Sequence, residues 1–346
     1  MTTTIYLIGY LGMLASAAIG MCARVAAWRW LAAGIAPAAT FAVLRGRTGT
    51  DTAIYQHIIA GIWSGNLKVV PRTLEPGFVW LVRALEWLGH DPRIATAILS
   101  LLVVIACVAA FGRSTEDACV FATLIFPLFF YDMAMSGLRY GFAFCAAKLA
   151  SDAWSRRRRG ESVAFAAAAA GMHVSAALLV VLLQIGRLRG KLRLLRYAGL
   201  AVAIAGVLFA MHHEALLAKI GLYAAFTPPA QMSGSAPLVL ALLTLAAGWM
   251  LLARMPRTLV FLFVCEIASF ALARISYAGL RFQWLVLFAM GCQFVPLQRV
   301  PGVRRRHVIA SLVVIGAIGF ALRLRNMLGE YGLGPSPFLP YWFFWE

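Results

Sequence analysis

Apolar segments that are long enough to enter a bilayer follow one another along nearly the whole chain, with only short polar or basic breaks between them. Mean hydropathy is +0.83, with 62% hydrophobic and 13% charged residues, which is typical of an integral membrane protein. No stretch reads as a separate soluble domain. The sequence predicts one all-α, polytopic membrane domain, residues 1–346, with about 10 to 12 membrane segments.

The expected membrane segments differ in length. A full span needs about 20 apolar residues, so residues 77–89 are expected to form a re-entrant or interfacial helix. The first segment lacks a basic leader and is expected to be a span and not a signal peptide. The segments are 4–21, 26–44, 77–89, 94–112, 118–132, 138–154, 161–185, 195–212, 236–253, 257–273, 279–298 and 307–322.

The segment 161–185 has basic clusters on both sides, Arg156 to Arg159 before it and arginines from Arg187 onward after it. Basic loops prefer the cytoplasm, which places Arg156 to Arg159 there and Arg139 near the opposite face. If both flanks are cytoplasmic, the segment turns back near Gly171-Met172-His173 as two half-helices. If only the first flank is cytoplasmic, it is a single span followed by an outward basic patch.

Arginine supplies nearly all of the positive charge. Thirty-one basic residues face 13 acidic ones, for a net charge of +18, and only four of the 31 are lysines. Arginine binds phosphate with two parallel hydrogen bonds, although cytoplasmic loops of any membrane protein are also basic. The basic residues lie in short loops between spans and not on one soluble face, so no nucleic-acid partner is expected.

Two polar breaks are long enough to hold a functional loop, residues 45–76 and 212–235. In the first, Thr50 or Asp51 is a plausible N-cap for a short amphipathic helix. Asp51 and Tyr55 would then share one face of that helix. The second break is expected to form another interfacial helix, to which the sequence assigns no chemistry.

A set of short motifs occurs along the chain in a fixed order. The motifs are Arg45-Gly46, Thr50-Asp51, Tyr55, Glu75-Pro76-Gly77-Phe78, Gly137-Leu138-Arg139, Met172-His173-Val174-Ser175-Ala176 and Pro340-Tyr341. This set resembles the EpsG-like exopolysaccharide polymerases, bacterial membrane proteins related in role to Wzy O-antigen polymerases. The chain departs from the family pattern at Thr52, at Met172 and in the turn before Tyr140, while the charged residues remain.

The resemblance implies glycosyl transfer at the outer face of the bacterial inner membrane. An undecaprenyl-pyrophosphate-linked glycan would be moved onto a lipid-linked oligosaccharide repeat unit, with a chain-length regulator as a partner. Such a reaction needs a base for the acceptor hydroxyl and cations for the pyrophosphate leaving group. The cysteines lack metal-ligand spacing and no Asp-x-Asp pair occurs, which favours a site without metal or cofactor.

Three residues are candidates for proton transfer. Asp51 is the favoured base, because Arg45 and Arg47 would keep it ionised, and its alternative role is a helix cap. Glu75 could be the base, could bind sugar hydroxyls or could orient Arg139. His173 could donate a proton to the leaving phosphate, or it could be a hydrogen-bonded structural group.

The candidate substrate-binding residues are mostly arginines. Arg45, Arg47 and Arg139 are expected to clamp the pyrophosphate, although Arg47 could instead be an interfacial side chain. Arg281 belongs to a late polar stripe that begins at Arg274, and it would contact lipid phosphate, glycan or the interface. Glu266 in a neighbouring span is expected to pair with an arginine of that stripe. Tyr55 and Tyr341 complete the set.

The aromatic C-terminal tail, 323–346, either anchors the chain at the membrane interface or stacks on sugar rings. Two other function classes remain open. A flippase or exporter of lipid-linked glycan would need charges distributed along many helices. A ligase or acyltransferase would share the membrane setting, and acyl transfer would make His173 the central base.

Overall fold

The computed structural model describes residues 3–66, 74–185, 234–251, 257–297, 305–328 and 336–345. All regular structure in these ranges is helical apart from one isolated bridge between Arg45 and Phe343. The predicted all-α, polytopic membrane fold is confirmed. The expected segment 195–212 and nearly all of the 212–235 break lie outside the described residues.

The first half of the chain combines long helices with short ones. α3 begins directly after Asp51, as predicted, and α4 is as short as the sequence implied. The elements are α1 (Thr3–Cys22), α2 (Ala27–Val43), α3 (Thr52–Trp63), α4 (Pro76–Glu86), α5 (Pro92–Phe111), α6 (Thr115–Val120) and the π-helices π1 (Phe121–Phe130) and π2 (Asp132–Ser136).

The second half begins with a helical hairpin and ends with four long helices around the same core. The last helix extends past the expected end at residue 322, so the start of the aromatic tail is still helical. The elements are α7 (Leu138–Ser155), α8 (Arg159–Met172), α9 (Ala176–Ile185), α10 (Ser235–Leu251), α11 (Arg257–Ala273), α12 (Tyr277–Leu297) and α13 (Arg305–Leu328).

In the described ranges, three helices are long and apolar enough to cross a membrane by length and composition: Thr4–Cys22, Pro92–Phe111 and Arg306–Met327. Other helices of the bundle are shorter or carry ionisable groups. α2 and α11 have 17 residues each, and α7 contains Lys148 and Asp152. Such charges in an apolar bundle mark positions with a specific partner.

π1 lies at the centre of the bundle, and every one of its residues is buried. Pro127 within it has no N–H to donate, which prevents a regular α-helical turn there. α13 packs closely against this segment because Gly316 and Gly319 have no side chain. A Cβ at Gly316 would overlap the Thr123 carbonyl oxygen, and one at Gly319 would overlap Leu128.

α8 folds back along α7 and ends at Met172. The chain turns at His173, and α9 begins at Ala176. Ser162 of α8 donates to the Ala150 carbonyl of α7 at 2.8 Å, and the ring of His173 reaches Tyr140 near the start of α7. α9 packs on α7 again, so the chain turns at His173 instead of continuing past α7. Of the two alternatives that the sequence left open for 161–185, the structure favours two half-helices over a single span.

Candidate functional site

An ion pair between Arg139 and Glu75 lies where three parts of the fold meet. Arg139 is in the first turn of α7, and Glu75 is at the N-cap position of α4 before Pro76. Arg139 Nη1 lies 2.5 Å from Glu75 Oε2, and Glu75 Oε1 accepts from the Val174 N–H at 3.3 Å. One carboxylate therefore joins α4, α7 and the turn between α8 and α9.

Aromatic groups hold the Arg139 guanidinium in place. Its central carbon lies 5.8 Å from the centre of the Phe78 ring, within the range of a cation–π contact. Tyr55 packs on the same ring at 5.7 Å, and its hydroxyl oxygen accepts from the Arg139 backbone N–H at 3.5 Å. Tyr55 is buried, so this geometry favours a positioning role for it over the expected contact with substrate.

Asp51 lies at the N-cap position of α3, but its side chain makes no capping hydrogen bond. Burial raises the pKa of the Asp51 carboxyl, while the positive charges of Arg281 and Arg139 lower it. Arg45 and Arg47 were expected to be the cations that act on Asp51, and this expectation was wrong. The carboxylate instead lies in the field of two arginines from α7 and α12.

Arg45 is 4% exposed and has structural partners. It donates from Nε to Thr52 Oγ1 at 3.1 Å and from Nη1 to Ser100 Oγ at 2.6 Å and the Ala134 carbonyl at 3.1 Å. Burial lowers its pKa to about 10. These contacts tie α2, α3, α5 and π2 together, and they correct the expectation that Arg45 would reach the pyrophosphate.

The C-terminal tail is fixed against the loop before α3. The Gly46 N–H donates to the Trp342 carbonyl at 2.8 Å, and the Gly49 N–H donates to the Pro337 carbonyl at 2.8 Å. Gly49 has φ +113°, a conformation that favours glycine, and a Cβ there would lie 2.9 Å from the Met135 carbonyl oxygen. The tail therefore helps to set where α3, and with it Asp51, begins.

Tyr341 and Arg47 take different positions on this loop and tail. Tyr341 is buried and donates its hydroxyl proton to the Phe41 carbonyl. Its expected role as a sugar contact is corrected to an anchor of the tail. Arg47 is exposed, and in the described part of the chain no hydrogen bond or ion pair joins it to Asp51 or Glu75.

His173 is a buried part of the turn between α8 and α9. Its Nδ1 lies 2.7 Å from Ser175 Oγ and accepts from the Ser175 N–H at 3.3 Å, and its ring packs edge-on against Tyr140 at 4.7 Å. With Nδ1 acting as an acceptor, the neutral ring carries its proton on Nε2. These contacts favour the structural role over proton donation to the leaving group.

Arg281 is exposed near the start of α12, and its charge acts on Asp51. Glu266 was expected to pair with an arginine of the same stripe, and this was wrong. Gln283 Nε2 donates to Glu266 Oε1 at 2.8 Å and also to the Gly234 carbonyl at 2.9 Å. Glu266 therefore connects α11 and α12 through an amide.

Sequence reasoning missed two further charge clusters. Lys148 binds Asp117 at 2.8 Å and Asp152 at 2.6 Å in the interior. Arg323 of α13 pairs with Asp132 of π2. Ionisable residues within predicted spans, and the i, i+4 spacing of Lys148 and Asp152, were signals that could have found them. Among the described residues, no three His, Cys, Asp or Glu side chains cluster as a metal site would require.

Comparison with known families decides where the chain belongs. A model of the EpsG family matches residues 30–325. The chain belongs to the EpsG family. Asp51, Glu75, Arg139, His173 and Arg281 all lie within the stretch that matches the EpsG model. No curated protein and no solved structure matches the chain. EpsG membership indicates a membrane protein with a polymerase-like function in exopolysaccharide synthesis.

Proposed function

We propose that this EpsG-family protein is a polysaccharide polymerase that transfers an undecaprenyl-pyrophosphate-linked glycan onto a lipid-linked oligosaccharide repeat unit. The observation that carries the proposal is the ion pair of Arg139 with Glu75, together with the action of the Arg139 charge on the Asp51 carboxylate. This displacement requires a cation that stays in place beside the leaving group and a carboxylate that can accept a proton near it.

In the proposed reaction, Asp51 accepts the proton of the acceptor hydroxyl. The hydroxyl oxygen forms the new bond to the anomeric carbon of the donor, and the bond from that carbon to the pyrophosphate oxygen breaks. The leaving pyrophosphate keeps the electron pair and stays bound to Arg139. Glu75 is a positioning residue, since it holds Arg139 at 2.5 Å and is itself fixed by the Val174 N–H.

The proposed orientation places this site on the outer face of the inner membrane. α7 has 18 residues, so Arg139 and the exposed arginines at 156–159 lie about 27 Å apart along its axis. A run of four arginines in a short turn favours the cytoplasm. Arg139 then faces the opposite side, where lipid-linked glycans are joined in the proposed reaction.

The contacts of His173 weigh against acyl transfer as the alternative. A central base needs a nitrogen that can reach substrate, but Nδ1 is occupied by Ser175 and the residue is 8% exposed. Asp51, by contrast, is only partly buried. The carboxylate, and not the imidazole, therefore receives the role of base in this proposal.

The test is the size distribution of surface glycan, run on a gel, from a deletion strain that carries the wild-type or a variant protein. Asp51→Asn and Arg139→Ala are each expected to leave single capped repeats without a ladder. Loss of a general base lowers a rate by about 10²- to 10⁴-fold, which is enough to remove the ladder.

Two variants serve as controls for that experiment. Asp91→Asn alters an aspartate that does cap its helix, by accepting from the Arg93 N–H at 2.8 Å. Arg158→Ala removes an exposed arginine from the opposite end of α7. Both are expected to keep the full ladder. A ladder from Asp51→Asn and Arg139→Ala would refute the proposal, and loss of single repeats as well would indicate export or ligation.

A further inference from the structure

A second arginine–carboxylate pair lies in the bundle apart from the Arg139–Glu75 pair. Arg323 of α13 binds Asp132 of π2, and the two side chains keep exposures of 23% and 30%. The central carbon of the Arg323 guanidinium lies 5.4 Å from the centre of the Trp284 ring. All three side chains are partly exposed, and the proposed reaction gives none of them a role.

The fold connects this group to the candidate site. Trp284 lies one turn after Arg281 on α12, and the charge of Arg281 acts on Asp51. Asp132 opens π2, and Ser136 at the end of π2 accepts from the Thr50 N–H beside Asp51 at 3.2 Å. Two separate elements therefore lead from Asp51 to the second pair.

The packing of α13 brings Arg323 to this position. Gly316 and Gly319 let α13 approach π1 more closely than any residue with a Cβ would allow. Phe129 of π1 meets the Trp284 ring edge-on at 5.5 Å, which fixes the ring from the core side. The group is thus rigidly supported while its polar ends stay accessible.

Its exposure separates this pair from a purely structural one. In the Lys148 cluster the side chains of Lys148 and Asp117 are 2% and 6% exposed. An interior ion pair gains nothing from contact with solvent, whereas a binding site must leave donors and acceptors open. A carboxylate and a guanidinium can together accept from and donate to vicinal hydroxyls, and an indole packs on the apolar face of a sugar ring.

We propose that Asp132, Trp284 and Arg323 form a subsite for a sugar ring of the acceptor glycan, a role that rests on the polymerase function proposed above. Asp51 takes the proton of the acceptor hydroxyl, so the acceptor ring lies beside Asp51. Arg139 holds the donor pyrophosphate. The acceptor then lies on the side of Asp51 that faces Arg281. Trp284 and Arg323 lie further along the same side.

The test uses purified protein in liposomes that polymerises lipid-linked repeat units extracted from the deletion strain. Two inhibitors are compared. The repeat oligosaccharide, released from its lipid by mild acid, has no pyrophosphate and carries the acceptor hydroxyl, so it competes for the acceptor position. Inorganic pyrophosphate competes for the position at Arg139 that the donor pyrophosphate occupies.

Asp132→Asn and Arg323→Gln are each expected to weaken inhibition by the released oligosaccharide about tenfold or more, as expected for the loss of hydrogen bonds to a charged group. Inhibition by pyrophosphate is expected to stay unchanged. Arg158→Gln, which alters an exposed pair at the other end of α7, is the matched control and is expected to change neither.

A charge exchange tests whether the pair only supports the fold. The double variant Asp132→Arg with Arg323→Asp can keep the ion pair between π2 and α13, but it moves the donors and acceptors seen by a sugar. We expect it to keep a wild-type folded yield while oligosaccharide inhibition stays weak. Restored inhibition would overturn the subsite and leave a structural pair.

The remaining outcomes separate this inference from the function on which it rests. Unchanged oligosaccharide inhibition in both single variants, with Asp51→Asn inactive, would overturn the subsite alone. Equal weakening of both inhibitors would also overturn it, because the pair would then act on the donor or on the whole site. Polymer formation by Asp51→Asn would overturn the role of Asp51 as the base, and absence of polymer from the wild-type protein in this assay would overturn the proposed function itself.

Discussion

The Arg139–Glu75 pair and the Lys148 cluster are both sets of charges in an apolar bundle, but they are built differently. Lys148 is enclosed: it binds Asp117 and Asp152, its ammonium lies 5.5 Å from the centre of the Phe111 ring, and it is 2% exposed. The side chain of Arg139 is 24% exposed. One set is closed to ligands, and the other holds a cation in place while leaving part of it open.

The difference shows what each arrangement can do. In the closed set, Ser114 also donates to Asp117 at 2.6 Å, so charges and hydrogen bonds are satisfied within the protein. Such a set fixes how α6 and α7 pack. In the open set, Glu75 orients the guanidinium without enclosing it, and Asp51 lies nearby without a capping bond. Stability and function should therefore respond in opposite ways to mutation of the two sets.

The largest expected effect is on stability, from Lys148→Ala. The substitution leaves two carboxylates facing each other in the interior, and breaking a buried pair in this way costs about 3–5 kcal/mol. Because a domain has only about 5–15 kcal/mol of stability, we expect a low folded yield and a clearly lower melting temperature. Size-exclusion chromatography in detergent measures the folded yield, and thermal unfolding measures the melting temperature.

Two further variants sharpen this stability comparison. Lys148→Arg keeps the charge and is expected to recover most of the folded yield. Arg139→Gln leaves an amide that can still donate to Glu75, whose side chain is 6% exposed, so it is expected to lose less stability than Lys148→Ala while losing polymerisation. An Arg139→Gln protein that is less stable than Lys148→Ala would remove the distinction between the two sets.

A smaller effect is expected from Gly77→Ala, next to Glu75. A Cβ at Gly77 would lie 2.7 Å from the Gly171 carbonyl oxygen, so α4 and the end of α8 would have to separate. Overpacking of this kind costs about 1–3 kcal/mol. It would also draw Glu75 away from the Val174 N–H and loosen Arg139, so we expect a shorter polymer ladder from a protein that still folds.

The reciprocal position provides the control for Gly77. A Cβ at Gly171 would meet the Gly77 Cα at 3.9 Å, an ordinary contact. Gly171→Ala is therefore expected to keep both the ladder and the melting temperature. If the two variants behaved alike, helix propensity and not the close approach of α4 and α8 would explain the result.

The fold was predictable from sequence to the extent that hydropathy determines it. Apolar segments indicated the helices, whereas the basic flanks of 161–185 left a break near His173 and a single span as equal alternatives. π1 was read as an ordinary span, because Pro127 alone does not specify π-helical geometry. The start of α3 at Thr52 was also predictable, since Asp51 is a common N-cap residue type.

The site was predictable only in part, because sequence order does not give burial. Asp51, Glu75 and Arg139 were named; Glu75 and Arg139 form an ion pair, and the charge of Arg139 acts on Asp51. Arg45 and Tyr341 were also named, but their side chains point into the protein, where partners distant in sequence such as Ser100 and Phe41 bind them. Pairing between distant elements is the information that a single sequence lacks.

The smallest expected effect concerns the acid side of the pH–activity profile and comes from Arg281→Gln. Burial raises the pKa of Asp51, and Arg281 is one of the two cations that lower it. A base must be deprotonated to act, so activity falls as the pH drops through this pKa. Without Arg281 the pKa of Asp51 rises further, and the loss of activity should begin at a higher pH.

On the alkaline plateau the rate of Arg281→Gln should change by less than about tenfold, as for an exposed ion pair. Initial rates in liposomes across pH, at low and high salt, measure the shift, which should shrink with salt because Arg281 is exposed. An unchanged acid limb in Arg281→Gln at low salt would mean that the titrating base is not Asp51, and Glu75, which pairs with Arg139, would then be the carboxylate to test.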